Sequence, residues 1–167
     1  MMSDLVHLKE MSLNYLSNDY VNWLNDEETN KYLLQQDSIT YSDLKKYILK
    51  KMEKKNCLFY AIICNKTNNH IGNIKLEPID FKKGLATIGI IIGNKDYWNK
   101  GYGTNTIELI IKNLKKLKIS TLNLSVSKEN IPAIKLYTKL GFKIIDDKYY
   151  IGKDTKNPKE AYIMEYP

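Results

Sequence analysis

The chain has 167 residues, 43% of them hydrophobic, which suits one domain spanning 1–167 with a sizeable core. Its net charge of +7 is carried by lysines without a single arginine; they are scattered, the usual bidentate guanine reader is missing, and nucleic acid is not an expected partner. No stretch approaches the roughly eighteen consecutive apolar residues of a membrane span, and Met1-Met2-Ser3-Asp4 lacks the basic flank and apolar core of a secretory leader, so a cytoplasmic protein without a membrane partner is expected.

The first element is a short strand, Leu5 to Met11. Two short helical pieces follow, about Asn18–Leu24 and Asp26–Leu34, joined through Trp23-Leu24-Asn25-Asp26. A longer helix over Ser42–Lys55 has Thr40 or Ser42 as its cap and Leu44, Tyr47, Ile48 and Met52 on its apolar face. Cys57 to Cys64 is near-continuously apolar, as in a strand covered on both faces. An odd spacing within that strand points the two cysteines to opposite faces, so they read as free thiols in a reducing compartment. His7 and His70 stand alone, and no metal site is expected. A turn at Asn65–Asn69 leads back through a partner strand, His70–Leu76, and a second turn at Phe81–Gly84 opens onto Leu85–Ile92.

Gly89 interrupts that fourth strand, marking a bulge or a close backbone approach, with a packing glycine as the plainer alternative. The stretch Asp96-Tyr97-Trp98-Asn99-Lys100-Gly101-Tyr102-Gly103-Thr104 follows, then a helical pattern with Ile107, Ile110, Ile111, Leu114 and Leu117 on one face. Strand, glycine-bearing loop and helix together aim backbone N–H groups and a positive helix end at an anion. Gly101 and Gly103 let the backbone approach a ligand where a Cβ would collide. The dinucleotide fingerprint needs glycine at position 106, and the P-loop needs Gly-Lys at 106 and 107. Thr106 and Ile107 stand there, so a different phosphate-bearing ligand is expected. Thr121–Val126 reads as a fifth strand. Asn130 can cap the next helix, Pro132 sits in its first turn, and Gly141 ends it with Phe142 turned back on Leu136 or Tyr137. Strands near Phe142–Ile151 and Ala161–Glu165 close the chain.

Trp98-Asn99-Lys100-Gly101-Tyr102-Gly103-Thr104 resembles the acetyl-CoA loop of the GNAT superfamily of N-acetyltransferases, Arg/Gln-x-x-Gly-x-Gly/Ala. Asn130, Tyr137 and Gly141-Phe142 are similar to that family's second signature. The resemblance covers essentially the whole chain. It implies an α/β fold with a mixed, mostly antiparallel sheet of about seven strands, flanked by helices and splayed between the fourth and fifth strands. Trp23-Leu24-Asn25-Asp26 and Tyr97-Trp98 place it nearest the branch of ribosomal-protein N-terminal, polyamine and nucleotide-sugar acetyltransferases. Trp98 stands where the pattern has Arg or Gln, which alters one side-chain contact and not the backbone cradle.

What the resemblance implies is an enzyme using acetyl-CoA, held by Ile90, Ile91, Ile92, Trp98, Asn99, Lys100, Gly101, Tyr102, Gly103, Thr104, Asn130 and Tyr137. The pyrophosphate would lie on the N–H groups of Asn99 to Thr104, with Lys100 adding charge. The pantetheine arm would run along Ile90–Ile92, where a backbone N–H could polarise the thioester carbonyl. Tyr137 takes the role of acid to the leaving thiolate. The base stays open: relatives in this branch carry Glu within Ala-Glu-Ile-Gly, where this chain has Ala86-Thr87-Ile88-Gly89. Glu77, Asp80, Ser125 or a water wire can serve, and the amine can also arrive neutral. Trp23, Asn25, Asp26, Glu77 and Tyr149 are the expected acceptor contacts, since rings and carboxylates suit a small polyhydroxylated amine. An amino sugar or nucleotide-linked amino sugar fits best. A protein N-terminus is the alternative acceptor, a silent acyl-CoA-binding module the alternative function, and a monomer or homodimer the expected state.

Overall fold

In a computed structural model of the chain, which describes residues 4–32, 37–152 and 158–167, the strands are β1 (Val6–Glu10), β2 (Leu58–Cys64), β3 (His70–Asp80), β4 (Leu85–Ile92), β5 (Thr121–Ser127), β6 (Lys143–Ile151) and β7 (Lys159–Tyr166). The helices are α1 (Asn18–Asn25), α2 (Glu27–Asn30), α3 (Tyr41–Met52), α4 (Tyr102–Asn113) and α5 (Ile131–Lys139). All seven strands join one sheet in the order β1-β2-β3-β4-β5-β7-β6. Every pairing is antiparallel except β4 with β5, so the sheet is mixed and mostly antiparallel, as expected.

Alternation along β2 divides the interior into two cores. Ile62 and Cys64 join one that includes Ile74, Leu76, Ile107, Ile110, Leu122 and Met164, so α4 covers that face. Ala61 and Ile63 join another with Tyr20, Leu44 and Ile48, so α1 and α3 cover the opposite face. Residues of α5, among them Leu136 and Tyr137, pack against the α4-side core.

Local chemistry explains the helix ends. Thr40 caps α3 in a capping box: Asp43 N–H donates to its hydroxyl at 3.1 Å, and Thr40 N–H donates to the Asp43 carboxylate at 3.0 Å. Leu44 and Ile48 are buried as the pattern requires, whereas Tyr47 and Met52 are 38% and 49% exposed. The α3 contact is thus one narrow ridge, not the wider face read from the sequence. The second short helix is only Glu27–Asn30, and the end predicted at Leu34 lies outside the described residues. Helix α5 ends as expected, with Gly141 at φ +96°, Phe142 N–H on Tyr137 O and Gly141 N–H on Thr138 O.

The bulge is not at Gly89. It lies in the partner strand, between Leu76 and Ile79, where Glu77 and Pro78 go unpaired. Among the described residues no helix is long and apolar enough to cross a membrane.

Candidate active site

The sheet opens at one place. β4 and β5 pair only through Leu85–Thr121, Ala86–Leu122 and Thr87–Asn123. Thr87 Oγ1 donates to Asn123 Oδ1 at 2.6 Å across the last rung. Beyond it, Ile88 to Ile92 have β3 on one side and no strand on the other. This leaves a stretch of main-chain donors and acceptors along the split, the splay expected from the sequence.

The glycine loop stands at the end of that open edge. Asn99 and Gly101 take left-handed φ values of +56° and +84°, and Gly101 opens α4 without a side-chain cap. Main-chain N–H groups of Asn99 through Thr104 have no acceptor among the described residues; the first bonded amide is Asn105, on Gly101 O at 2.9 Å. A row of unused donors at the positive end of a 12-residue helix is a cradle for an anion. A Cβ built at Gly103 would lie 3.5 Å from Leu136 of α5 and 3.8 Å from Ile92 of β4. The loop, the end of β4 and α5 therefore come together at one place on the α4 face.

Side chains around the loop hold it in shape. Trp98 Nε1 donates to Ile92 O at 2.6 Å, tying the loop to the end of β4. Lys100 Nζ donates to Asp96 O at 2.7 Å within the loop itself, so its ammonium is committed there and not aimed at the cradle. The Tyr102 ring meets Tyr97 edge-on, with centroids 4.9 Å apart. Asn130 caps α5 through Ala133 N–H at 3.3 Å. Tyr137 lies against Phe142 with centroids 5.6 Å apart, and burial pushes its hydroxyl up to about 12. Asn105, unremarked in the sequence, accepts Leu5 N–H at 2.8 Å and Val6 N–H at 3.2 Å, fastening α4 to the first strand.

On the opposite face, register places Lys75 beside Gly89 and Asn73 beside Ile91. Nothing lies within 4 Å of a Cβ built at Gly89. Gly89 thus leaves an open slot at the mouth of the split. Of the expected acceptor residues, three are engaged in the scaffold. Asn25 exchanges two hydrogen bonds of 2.8 Å with the main chain of Ile39. Asp26 caps α2 through Thr29 N–H and pairs with Lys95 at 2.8 Å. The Trp23 ring packs on Gly93, where a Cβ would come within 2.2 Å of it, and meets His70 edge-on. Tyr149 is not brought to the slot: it is 41% exposed on β6, with β7 and β5 intervening.

Glu77 corrects the expectation of a base. Its carboxylate, 9% exposed, receives Lys51 at 2.5 Å, Lys54 at 2.7 Å and Lys75 at 3.0 Å. Burial pushes its proton affinity up, but the three ammonium donors outweigh that and hold it near 2. A carboxylate so strongly stabilised in its charged form is a poor proton acceptor. The signal was Lys51 on α3, Lys54 just beyond it and Lys75 on β3, which only folding makes adjacent.

The family model of the GNAT acetyltransferase domain matches residues 8–143, and the chain belongs to that family. GNAT enzymes take the acetyl group from acetyl-CoA. The chain is 31% identical over 122 residues to an N-alpha-acetyltransferase of Saccharolobus solfataricus, covering 65% of this chain and 68% of that one. It is 37% identical over 84 residues to the Escherichia coli K12 ribosomal-protein bS18 alanine N-acetyltransferase, covering 49% and 55%. The chain spans between 19% and 68% of the length of the curated relatives it matches. Its fold is shared with the Vibrio cholerae spermidine N-acetyltransferase solved with CoA and spermine, at TM-score 0.83, 19% identity and coverage of 97% and 95%.

Proposed function

We propose that this protein acetylates the primary amine of a small molecule, an amino sugar or nucleotide-linked amino sugar, using acetyl-CoA. The observation that carries the reading is the meeting of an unfilled N–H cradle with an unpaired strand edge at one split in the sheet. The cradle suits a pyrophosphate, and the open edge of β4 suits a slender arm. Acetyl-CoA supplies an activated thioester, whose carbonyl carbon bonds to the amine nitrogen as the C–S bond breaks.

The residues of the chain divide the remaining work. Loop amides from Asn99 to Thr104 hold the phosphates, while Trp98 and Asn130 keep the loop and α5 in place. The open edge of β4 at Ile90–Ile92 offers main-chain N–H groups where charge develops on the carbonyl oxygen. Tyr137 keeps its proton at any working pH and can give it to the departing sulfur. Glu77, held near 2, has little affinity for the amine proton, which leaves Asp80, Ser125, a water wire or an amine that arrives neutral.

A second reading is supported by the curated relatives, two of which are named for acetylating protein N-termini. A thiol-release screen with acetyl-CoA and three acceptors, an amino sugar, spermidine and an Ala- or Ser-initiated peptide, separates the readings. Fastest turnover is expected on the amino sugar. Efficient turnover of the peptide with none on amino sugars overturns the acceptor assignment and leaves the cofactor assignment standing.

A further inference from the structure

Three lysines converge on Glu77, Lys51 from the last turn of α3, Lys54 from the segment just after it and Lys75 from β3. One carboxylate balances one of those charges. The Tyr47 hydroxyl accepts from Lys75 at 2.8 Å. Two positive charges thus remain uncompensated in a cluster whose lysine side chains are 15%, 40% and 24% exposed. Such an excess can receive a further anion.

The location gives the excess a use. Lys75 is paired with Gly89, so its side chain flanks the open slot at the split. On the far side of Glu77, the bulge opens a cleft of about 420 Å³ lined by Asn56, Pro78, Ile79, Phe81 and Thr87 among others. Asp80 and Lys82 also line it and cancel in charge. A molecule with its amine at the split and its bulk in this cleft must pass the ammonium cluster. A polycation meets repulsion there, and a phosphate meets donors.

We propose that Lys51, Lys54 and Lys75, gathered on Glu77, form a phosphate-recognition subsite, and that the acceptor is a phosphorylated amine. This rests on the acetyltransferase reading above and narrows its acceptor class. Glu77 acts as the positioning residue that brings the three ammonium groups together.

The test compares kcat/KM for glucosamine 6-phosphate and for glucosamine, in the wild type and in Lys54→Gln, which changes the most exposed of the three lysines. In the wild type the phosphorylated amine is expected to be favoured about tenfold, the scale of one charge-assisted hydrogen bond. The preference should shrink as salt is raised and fall towards unity in Lys54→Gln. Equal values in the wild type, or an undiminished preference in Lys54→Gln, overturn the subsite. Calorimetry with the same two amines on the CoA-loaded protein reads the same preference without turnover. Tighter binding of the phosphorylated amine in the absence of any thiol release supports the subsite while defeating the acetyl-transfer reading. Equal binding of the two amines defeats the subsite.

Discussion

The two faces of the sheet build their halves of the site in different ways. On the α4 face the working groups are main chain: loop amides from Asn99 to Thr104 and the unpaired edge of β4, with side chains such as Trp98 and Asn130 serving as braces. On the α1–α3 face the working groups are side chains delivered from separate elements, as when Lys51, Lys54 and Lys75 meet on Glu77. Main-chain recognition depends on φ and on the absence of Cβ atoms, so it constrains a short run of sequence. Side-chain recognition can be moved or replaced residue by residue.

The largest effect should come from blocking the main-chain half. At Gly103 a Cβ makes ordinary contacts with Leu136 and Ile92, so Gly103→Val is expected to fold. Its branched side chain would stand among the loop amides of Asn99 to Thr104. Acetyl-CoA affinity should fall about 100-fold, equivalent to losing one or two charge-assisted hydrogen bonds. Calorimetry on the folded variant measures this, and unchanged affinity would remove the cradle from the binding account.

Next comes the one side chain on that face with a chemical task. Tyr137→Phe keeps the ring against Phe142 and removes the hydroxyl, so kcat should fall about 10–100-fold while acetyl-CoA affinity holds. Because burial raises the Tyr137 hydroxyl to about 12, the acid form persists through neutral and moderately alkaline pH. The wild type should therefore show no alkaline loss of kcat from this group below about pH 11. Equal kcat in the two proteins, with chemistry rate-limiting, reduces Tyr137 to a packing residue.

The same contrast explains what could be read before the structure was known. The individual strands and the loop follow from periodicity and local glycines, and the split from the family resemblance that two short motifs carry, because a main-chain site writes itself into contiguous residues such as Gly101 and Gly103. The Schellman ending of α5 was legible for the same reason, since Gly141 and Phe142 carry it locally. The ion pairs of Glu77 could not be read in full, because only Lys75 is close in sequence, while Lys51 and Lys54 lie 26 and 23 residues upstream. Asn25 and Asp26 looked like substrate contacts because polar residues in a short linker are ambiguous; their bonds to Ile39 and Lys95 appear only on folding. Gly89 was read as a bulge or a close backbone approach; the bulge belongs to the strand beside it, and the space over Gly89 is open.

Glu77 tests the side-chain half. Its carboxylate is held near 2, below its ordinary value, so it stabilises the fold above the unfolded-state value of about 4.5. That contribution is lost as pH falls from there towards 2. Glu77→Gln should cost about 2 kcal/mol at neutral pH, because three lysines lose their counter-ion. The gap between variant and wild type should close in acid. Denaturant melts between pH 7 and pH 3 follow it, and a gap independent of pH would show that packing, not charge, is what Glu77 supplies.

The smallest effect should come from Trp98, where this chain departs from the Arg or Gln of the loop pattern. Its indole N–H is spent on Ile92 O at 2.6 Å, and Lys95 lies over the ring at 5.8 Å from the centroid. Both contacts are internal, so the tryptophan braces the loop against β4 and leaves ligand recognition to the main chain. Trp98→Phe keeps an aromatic ring but deletes the donor, leaving Ile92 O to water or to nothing. A stability loss of about 1 kcal/mol is expected from one hydrogen bond, with acetyl-CoA affinity changed less than about threefold. Unfolding and calorimetry on the same preparation separate the two quantities. A loss of affinity as large as that in Gly103→Val, without a matching loss of stability, would mean that the indole touches the ligand directly. The α4 face would then rely on side chains as the other face does, and the division between the two halves would fail at its clearest point.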